Sequence, residues 1–343
     1  MDLKPRSRAS SFMRGAARFA TSAALITVVS LGLLEALVAF GFRHPTASPI
    51  PLPILRQLHV LFDRNTIQVM PECAVYDDRL TYILKPGECT FSNREFSNRY
   101  YINSLGLRDD EESLERPEVV ILGDSIAMGW GVEQDEIFAS VYERLSGRRT
   151  LNAGISSYGT VRELRLFERV DRRYVKDLVI QYSANDFSEN RSFLEGDFKV
   201  LSREQYEHTV SEQSRLISYH PGKHALNLMV MLRNAVRAHF ASSESAPVDR
   251  EAKVKAFLHA VEHSPVNLDS FRVTVVAIDS EFIERAEALA SISSSAVIRN
   301  LRFVDLGPAT AIPEAFYVLD DHPTRVGHEA IGRALLSSLE EFP

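Results

Sequence analysis

Val119-Val120-Ile121-Leu122 is an unbroken run of apolar, mostly β-branched residues. A run without polar alternation reads as a strand buried on both faces, and parallel sheets covered by helices on each side are where such strands occur. Gly123 ends the run, a residue that lets the backbone turn without a Cβ clash. Ser125 then falls at the carboxyl end of the strand, where open α/β sheets hold their ligands. Gly-Asp-Ser alone is a weak signal, so the remainder of the chain decides between a nucleophile and a turn residue.

From Glu118 onward the pattern is strand then helix, repeatedly. Strands are predicted at 119–122, 150–153, 178–182, 271–278 and 301–306. Helices are predicted at 133–145, 161–174, 282–291 and 329–339. Between the third and fourth strands lie helical segments at 204–217, 225–240 and 250–262, an insertion of about 190–265 expected to cap the site and form its pocket wall. Alternation of this kind implies a mostly parallel five-stranded sheet with helices on both faces, within one domain at 116–343.

The chain ahead of it is organised differently. Phe19 to Phe42 contains a single ionisable group, Glu35, and as a helix of ~1.5 Å per residue would reach ~36 Å, enough to span a bilayer. Lys4, Arg6, Arg8, Arg14 and Arg18 precede it against one acid, Asp2. The positive-inside tendency therefore keeps residues 1–18 cytoplasmic and exports the chain beyond the span, making 19–42 an uncleaved signal-anchor with the catalytic domain periplasmic or extracellular. Glu35 lies past the middle of the span, within reach of the interface or of a partner helix. Pro45, Pro49, Pro51 and Pro53 make a stiff linker. Residues 43–115 read as that linker plus a small, strand-poor extension, in which Tyr100 and Tyr101 serve packing. In an exported chain Cys73 and Cys89, the only cysteines, read as a disulfide that closes a loop of ~17 residues. A net charge of −7 argues against nucleic acid as a partner.

Four polar groups fall at carboxyl ends of strands or just before a helix: Ser125, Gly154, Asn185 and Asp320-Asp321-His322. All four are predicted to converge on one edge of the sheet. A serine hydroxyl needs an adjacent base, which His322 can be, and a carboxylate two residues earlier can hold the imidazole. A glycine N–H, the N–H of Ser125 and an asparagine amide can serve a developing oxyanion. Trp130 is placed either to line the pocket or to pack in the core. His328 packs or caps the last helix, and Asp124 and Asp186 order loops. His220 and His224 are separated by Pro221-Gly222, which breaks the helix that would align them on a metal.

With these blocks in order, residues 118–343 resemble the SGNH/GDSL hydrolase superfamily. Gly123-Asp124-Ser125 matches the nucleophile block, Asn152-Ala153-Gly154 the glycine block and Ser183-Ala184-Asn185-Asp186 the asparagine block, with serine where the family has glycine. The family's Asp-x-x-His block is altered, since Leu319 stands three residues before His322. Asp320 becomes the expected acid, with Asp321 as the alternative. Asn103-Ser104-Leu105-Gly106-Leu107-Arg108 resembles a stretch that precedes the catalytic domain in membrane-anchored envelope members.

The resemblance implies a flavodoxin-like α/β/α sandwich. It also implies a catalytic triad of Ser125, His322 and Asp320 and an oxyanion hole from Ser125, Gly154 and Asn185, with no metal or organic cofactor. The expected activity is a serine esterase acting on a small-molecule, lipid or glycan ester. The alternatives are an O-acyltransferase on a cell-surface glycan and a catalytically silent protein that keeps the fold.

Overall fold

The computed structural model describes residues 8–240 and 249–340, so Lys4 and Arg6 of the basic tail lie outside the described residues. The helices, in chain order, are α1 (Arg8–Arg43), α2 (Leu52–Phe62), α3 (Ser125–Met128), α4 (Phe138–Ser146), α5 (Thr160–Phe167), α6 (Asp186–Leu194), α7 (Arg203–Ile217), α8 (Lys223–Phe240), α9 (Arg250–Glu262), α10 (Ser280–Ser291) and, after two single turns left unlabelled, α11 (Arg325–Glu340). The strands are β1 (Ala74–Asp77), β2 (Thr81–Leu84), β3 (Gly87–Ser92), β4 (Ser97–Ile102), β5 (Val119–Gly123), β6 (Thr150–Gly154), β7 (Asp177–Tyr182), β8 (Arg272–Ala277) and β9 (Arg302–Asp305). The chain forms two compact units. Among the described residues, one holds α1, α2 and α8, and the other holds the remaining elements.

In the larger unit, five parallel strands lie in the order β6-β5-β7-β8-β9. This is the doubly wound order in which the chain reverses direction across the sheet after its first two strands. The two faces of β5 show why the opening apolar run had to be buried twice. Val120 and Leu122 join the cluster of α5, α9 and α10 residues that includes Leu164, Phe257 and Phe282. Val119 and Ile121 point the other way, into Phe138 and Tyr142 of α4 and Ile331 and Leu335 of α11. Helices therefore cover both faces, as the strand–helix alternation requires.

Two segments differ from the sequence reading. The helix expected at 161–174 stops at Phe167, because Arg172 turns back and donates to the Phe167 carbonyl at 2.7 Å, while Arg169 pairs with both carboxylate oxygens of Asp77. The extension is not strand-poor: β1–β2 and β3–β4 are antiparallel hairpins. Their strands are short, with Pro86 and Gly87 at the junction of the hairpins and Asn93 in the second turn, which masked the pattern. Cys73 and Cys89 form a disulfide that ties the start of the first hairpin to the second. Phe91, Tyr100 and Ile102 of the second hairpin share a core with Met128 and Trp130, just after the candidate nucleophile.

The Asn103–Arg108 stretch now has a physical role. Asn103 Oδ1 accepts the N–H groups of Leu105 and Leu107, both at 3.1 Å, and folds the turn. Arg108, fully buried, stacks on the Tyr100 ring at 3.4 Å and donates to the carbonyls of Met128, Gly129 and Val132. One guanidinium thus ties down the loop after α3. Arg108→Met strands those carbonyls in the interior and is expected to cost about 2–4 kcal/mol, read as a lowered urea midpoint. Arg108→Lys is expected to recover little of it, since a lone ammonium cannot match the planar fork. Midpoints equal to the parent chain's would refute this role.

The smaller unit is built from α1, α2 and α8. Ala16–Arg43 is long and apolar enough to cross a membrane, and residues 16–30 are exposed all round. From Val38 to Phe42 its inward side is covered, and α8 packs along it. Glu35 meets a partner within the chain: its Oε2 accepts the Ala225 N–H in the first turn of α8 at 2.9 Å.

Candidate active site

Gly123 and Asp124 turn the chain from β5 into α3. A Cβ on Gly123 would lie 2.7 Å from both Ala127 Cβ and Gln181 Oε1, so only glycine fits between the two elements. Asp124 Oδ1 accepts the Ile126 N–H at 2.9 Å and caps α3, which Ser125 opens. Asp124 is thus a structural residue, as its sequence position suggested. Burial raises its carboxyl above the ordinary range.

From the other end of the chain, the loop before α11 delivers His322. Its Nε2 lies 2.7 Å from Ser125 Oγ and its Nδ1 lies 2.5 Å from Asp320 Oδ1. The pairing assigns the proton: Nδ1–H donates to the carboxylate and Nε2 accepts from the hydroxyl. Asp321 Oδ1 stands farther off, 3.3 Å from Nδ1, with its side chain 73% exposed against 1% for Asp320. The geometry therefore favours Asp320 over Asp321. Burial pulls the imidazole toward its neutral form, but the hydrogen bonds and charges of Asp320 and Asp321 outweigh it and hold His322 above its ordinary value of 6.5.

Three further side chains support this loop, and of these the sequence marks only Trp130. Glu95, in the turn between β3 and β4, accepts the N–H groups of Val318, Leu319 and Asp320 at 2.8, 2.8 and 2.9 Å. Three successive amides around one carboxylate fix the backbone that carries the acid. Trp130 donates its indole N–H to Asp320 Oδ2 at 3.1 Å and stacks on the His322 ring, centroids 4.5 Å apart at 15°. It both packs in the core and lines the cleft. Arg64 reaches Asp321 Oδ1 at 2.8 Å and Asp320 Oδ1 at 3.4 Å. Asp320, Asp321 and His322 offer the one cluster of ligand type among the described residues, and Arg64 sets a positive charge against both carboxylates. Glu95 had no signal in sequence, because its partners are backbone amides whose place depends on the finished fold.

The cleft in front of Ser125, about 420 Å³, is lined by Arg64, Thr66, Ser156, Ser157, Asn185 and His322 among others. Asn185 is exposed there at the end of β7, as expected. Gly154 is a correction. Its N–H donates to Asn152 Oδ1 at 3.1 Å, and a Cβ on it would meet Met128 N at 2.3 Å. The glycine is needed for close packing of β6 against α3, and its amide does not serve the cleft. Ser157 lines the cleft instead, in the left-handed conformation at φ +59°, with its carbonyl held by Arg162. The insertion is a second correction: among the described residues, none between 190 and 265 lines this cleft, whose wall comes from Arg64 and Thr66 and from the loop after β6.

The remaining candidates are structural. Asp186 opens α6 fully buried, and burial pushes its carboxyl well above the usual range. His328 Nδ1 accepts the Phe138 N–H at 3.2 Å, and burial drives its pKa down to about 3, so it stays neutral within α11. His224 packs on the ring of Phe42 in the smaller unit.

No protein-family model matches the chain, and no curated protein matches it. Solved structures do. One is a protein described as lipolytic, of the G-D-S-L family, from Desulfitobacterium hafniense DCB-2, at 12% identity over 64% of this chain and 97% of that one, with a TM-score of 0.34. A second is a carbohydrate esterase family 2 enzyme from Corynascus thermopiles, at 14% identity over 66% of each chain and a TM-score of 0.37. A third is the salicylyl-acyltransferase SsfX3 of a tetracycline biosynthetic pathway, at 14% identity over 69% of this chain and 58% of that one, with a TM-score of 0.34. The chain's own coordinates define the class: an α/β sandwich with a serine, a histidine and an aspartate hydrogen-bonded in series at the carboxyl edge of its sheet.

Three outcomes are expected from this geometry. A histidine serving as base works only when neutral, so if His322 has that role kcat/KM against pH is expected to rise along an acid limb centred above 6.5. Asp321→Asn is expected to move that limb down and keep turnover, whereas Asp320→Asn lowers kcat by ~10³–10⁴. Equal losses in the two variants would contradict the assignment of Asp320. Glu95→Ala frees the acid loop and is expected to lower kcat by about 100-fold with KM nearly unchanged, since displacement of a catalytic group by ~1 Å costs that much. A fall in thermal stability without that kcat loss would reduce Glu95 to a structural contact.

Proposed function

We propose that the chain is a serine esterase of the SGNH type that works through an acyl-enzyme. The observation that carries this reading is the continuous series Ser125 Oγ, His322 Nε2, His322 Nδ1, Asp320 Oδ1 at the edge of a cleft. In the first half-reaction His322 takes the proton from Ser125 as Oγ attacks the ester carbonyl, and then gives it to the departing alkoxide. Asp320 keeps the imidazole in the reactive tautomer and stabilises the imidazolium. Water repeats the sequence on the acyl-enzyme, leaving free acid and the original serine. The oxyanion donors are the Ser125 N–H and the Asn185 side-chain amide. Ser157, which lines the cleft, is the third donor we assign, in place of Gly154.

The cleft supports a short acyl group. Ile126, Ala184 and Trp130 are its apolar lining, against hydroxyl-bearing Thr66, Ser156, Ser157 and Ser183. A long acyl chain would need an extended apolar surface. A short ester on a hydroxyl-rich carrier suits this lining. We place the enzyme in the cell envelope, with Phe19–Phe42 as anchor, because that segment has the length and apolar surface of a span and basic residues precede it.

Activity on p-nitrophenyl acetate and labelling by a fluorophosphonate test the reading together. Ser125→Ala is expected to lose both, and His322→Ala to slow labelling by at least ~100-fold. Unchanged hydrolysis by Ser125→Ala would overturn the esterase assignment, and a parent chain that neither labels nor turns over would leave a silent protein of this fold. Release of free acid without an acceptor distinguishes hydrolysis from transfer to a glycan hydroxyl.

A further inference from the structure

The smaller unit concentrates apolar surface in a way the larger one does not. Outside α1, its exposed side chains include a row along α8: Leu226, Met229, Leu232 and Val236, each between 41% and 55% exposed. Their offsets of three, three and four residues set them on one side of the helix. The opposite side, His224, Leu228 and Met231, is buried against the unit's own helices. Arg233 and Arg237, one turn apart, are exposed along the margin of the apolar row. Among the described residues neither forms an ion pair with an acid.

A second observation bears on what this row faces. The first turn of α8 is fastened to α1 itself, through Glu35 Oε2 and the Ala225 N–H, and Phe42 packs edge-on against the His224 ring at 5.2 Å. The only acid in the long apolar helix thus fills an open donor at the start of α8. A helix fastened to a bilayer span, with an outward apolar row edged by arginines, has the pattern of a helix lying in the headgroup–acyl boundary.

We propose that α8 is a second membrane contact, with Leu226, Met229, Leu232 and Val236 in the bilayer and Arg233 and Arg237 at the lipid phosphates. The arginine margin favours anionic lipid over a second copy of the same face, whose arginines would approach their own kind. The proposal rests on the anchor reading of α1, and the test separates the two.

The full chain, carrying the environment-sensitive fluorophore NBD on Leu232→Cys, is reconstituted into vesicles of phosphatidylcholine and phosphatidylglycerol. The native cysteines are joined to each other, so the label has one site. Leu25→Cys in α1 serves as a depth marker, and Ile292→Cys, 79% exposed in the larger unit, as the aqueous control. Blue-shifted emission and quenching by doxyl-labelled lipid are expected at Leu232 and Leu25, with neither at Ile292. If the Leu25 label is quenched while Leu232 stays open to aqueous iodide, α8 is not a membrane contact and the anchor stands. A Leu232 label shielded from both quenchers means a protein covers the row, which also overturns the proposal. Quenching at Leu232 without quenching at Leu25 supports the α8 contact and removes the anchor.

Discussion

The buried hydrogen bond between His322 Nδ1 and Asp320 Oδ1 is the interaction on which the proposed chemistry of this structure depends. Without it an almost buried imidazole would have no reason to present Nε2 to Ser125. Burial alone would also pull the ring toward its neutral form, and the carboxylates oppose that pull. Both effects are needed. The ring must be neutral to accept a proton and must find stabilisation once it has one. Asp320 meets the second need because each of its oxygens is engaged, Oδ1 by His322 and Oδ2 by Trp130.

The fold around that bond explains why so much of the chain lies ahead of the sheet. The hairpin β3–β4 is braced by the disulfide, packs Phe91 against Trp130 with ring centroids 4.6 Å apart, and presents Glu95 from its turn. Arg108, a few residues on, fixes carbonyls at and after the end of α3. The extension therefore grips the site from two directions, holding the loop of the acid and the loop after the serine. It is part of the candidate site, although its sequence reads as a strand-poor extension.

How far the sequence could be read depends on what each of its signals measures. The β5 run and the strand–helix alternation are local hydrophobic patterns, so sheet and layers could be read directly. Ser125, Asn185, Asp320 and His322 were legible through position, at strand ends that a parallel sheet brings to one edge, and the structure gathers all four about one cleft. Gly154 was misread because glycine answers two different needs, an exposed amide or close backbone approach, and only coordinates tell them apart. Ser157 went unnoticed because a left-handed serine leaves no sequence mark. Glu95 and Arg64 act across long sequence separations on groups that exist only once the chain has folded. The insertion could be recognised as helical, but nothing local announced that α8 packs on α1.

Covalent chemistry at one hydroxyl is the centre of the account. The most direct measurement is intact-protein and peptide mass spectrometry of the chain quenched in acid during turnover of p-nitrophenyl acetate. The account expects one added acetyl group, on the peptide containing Ser125, formed within the first turnover and far slower to appear in His322→Ala. An acetyl group on another residue, or one that forms as fast without the imidazole, would contradict it.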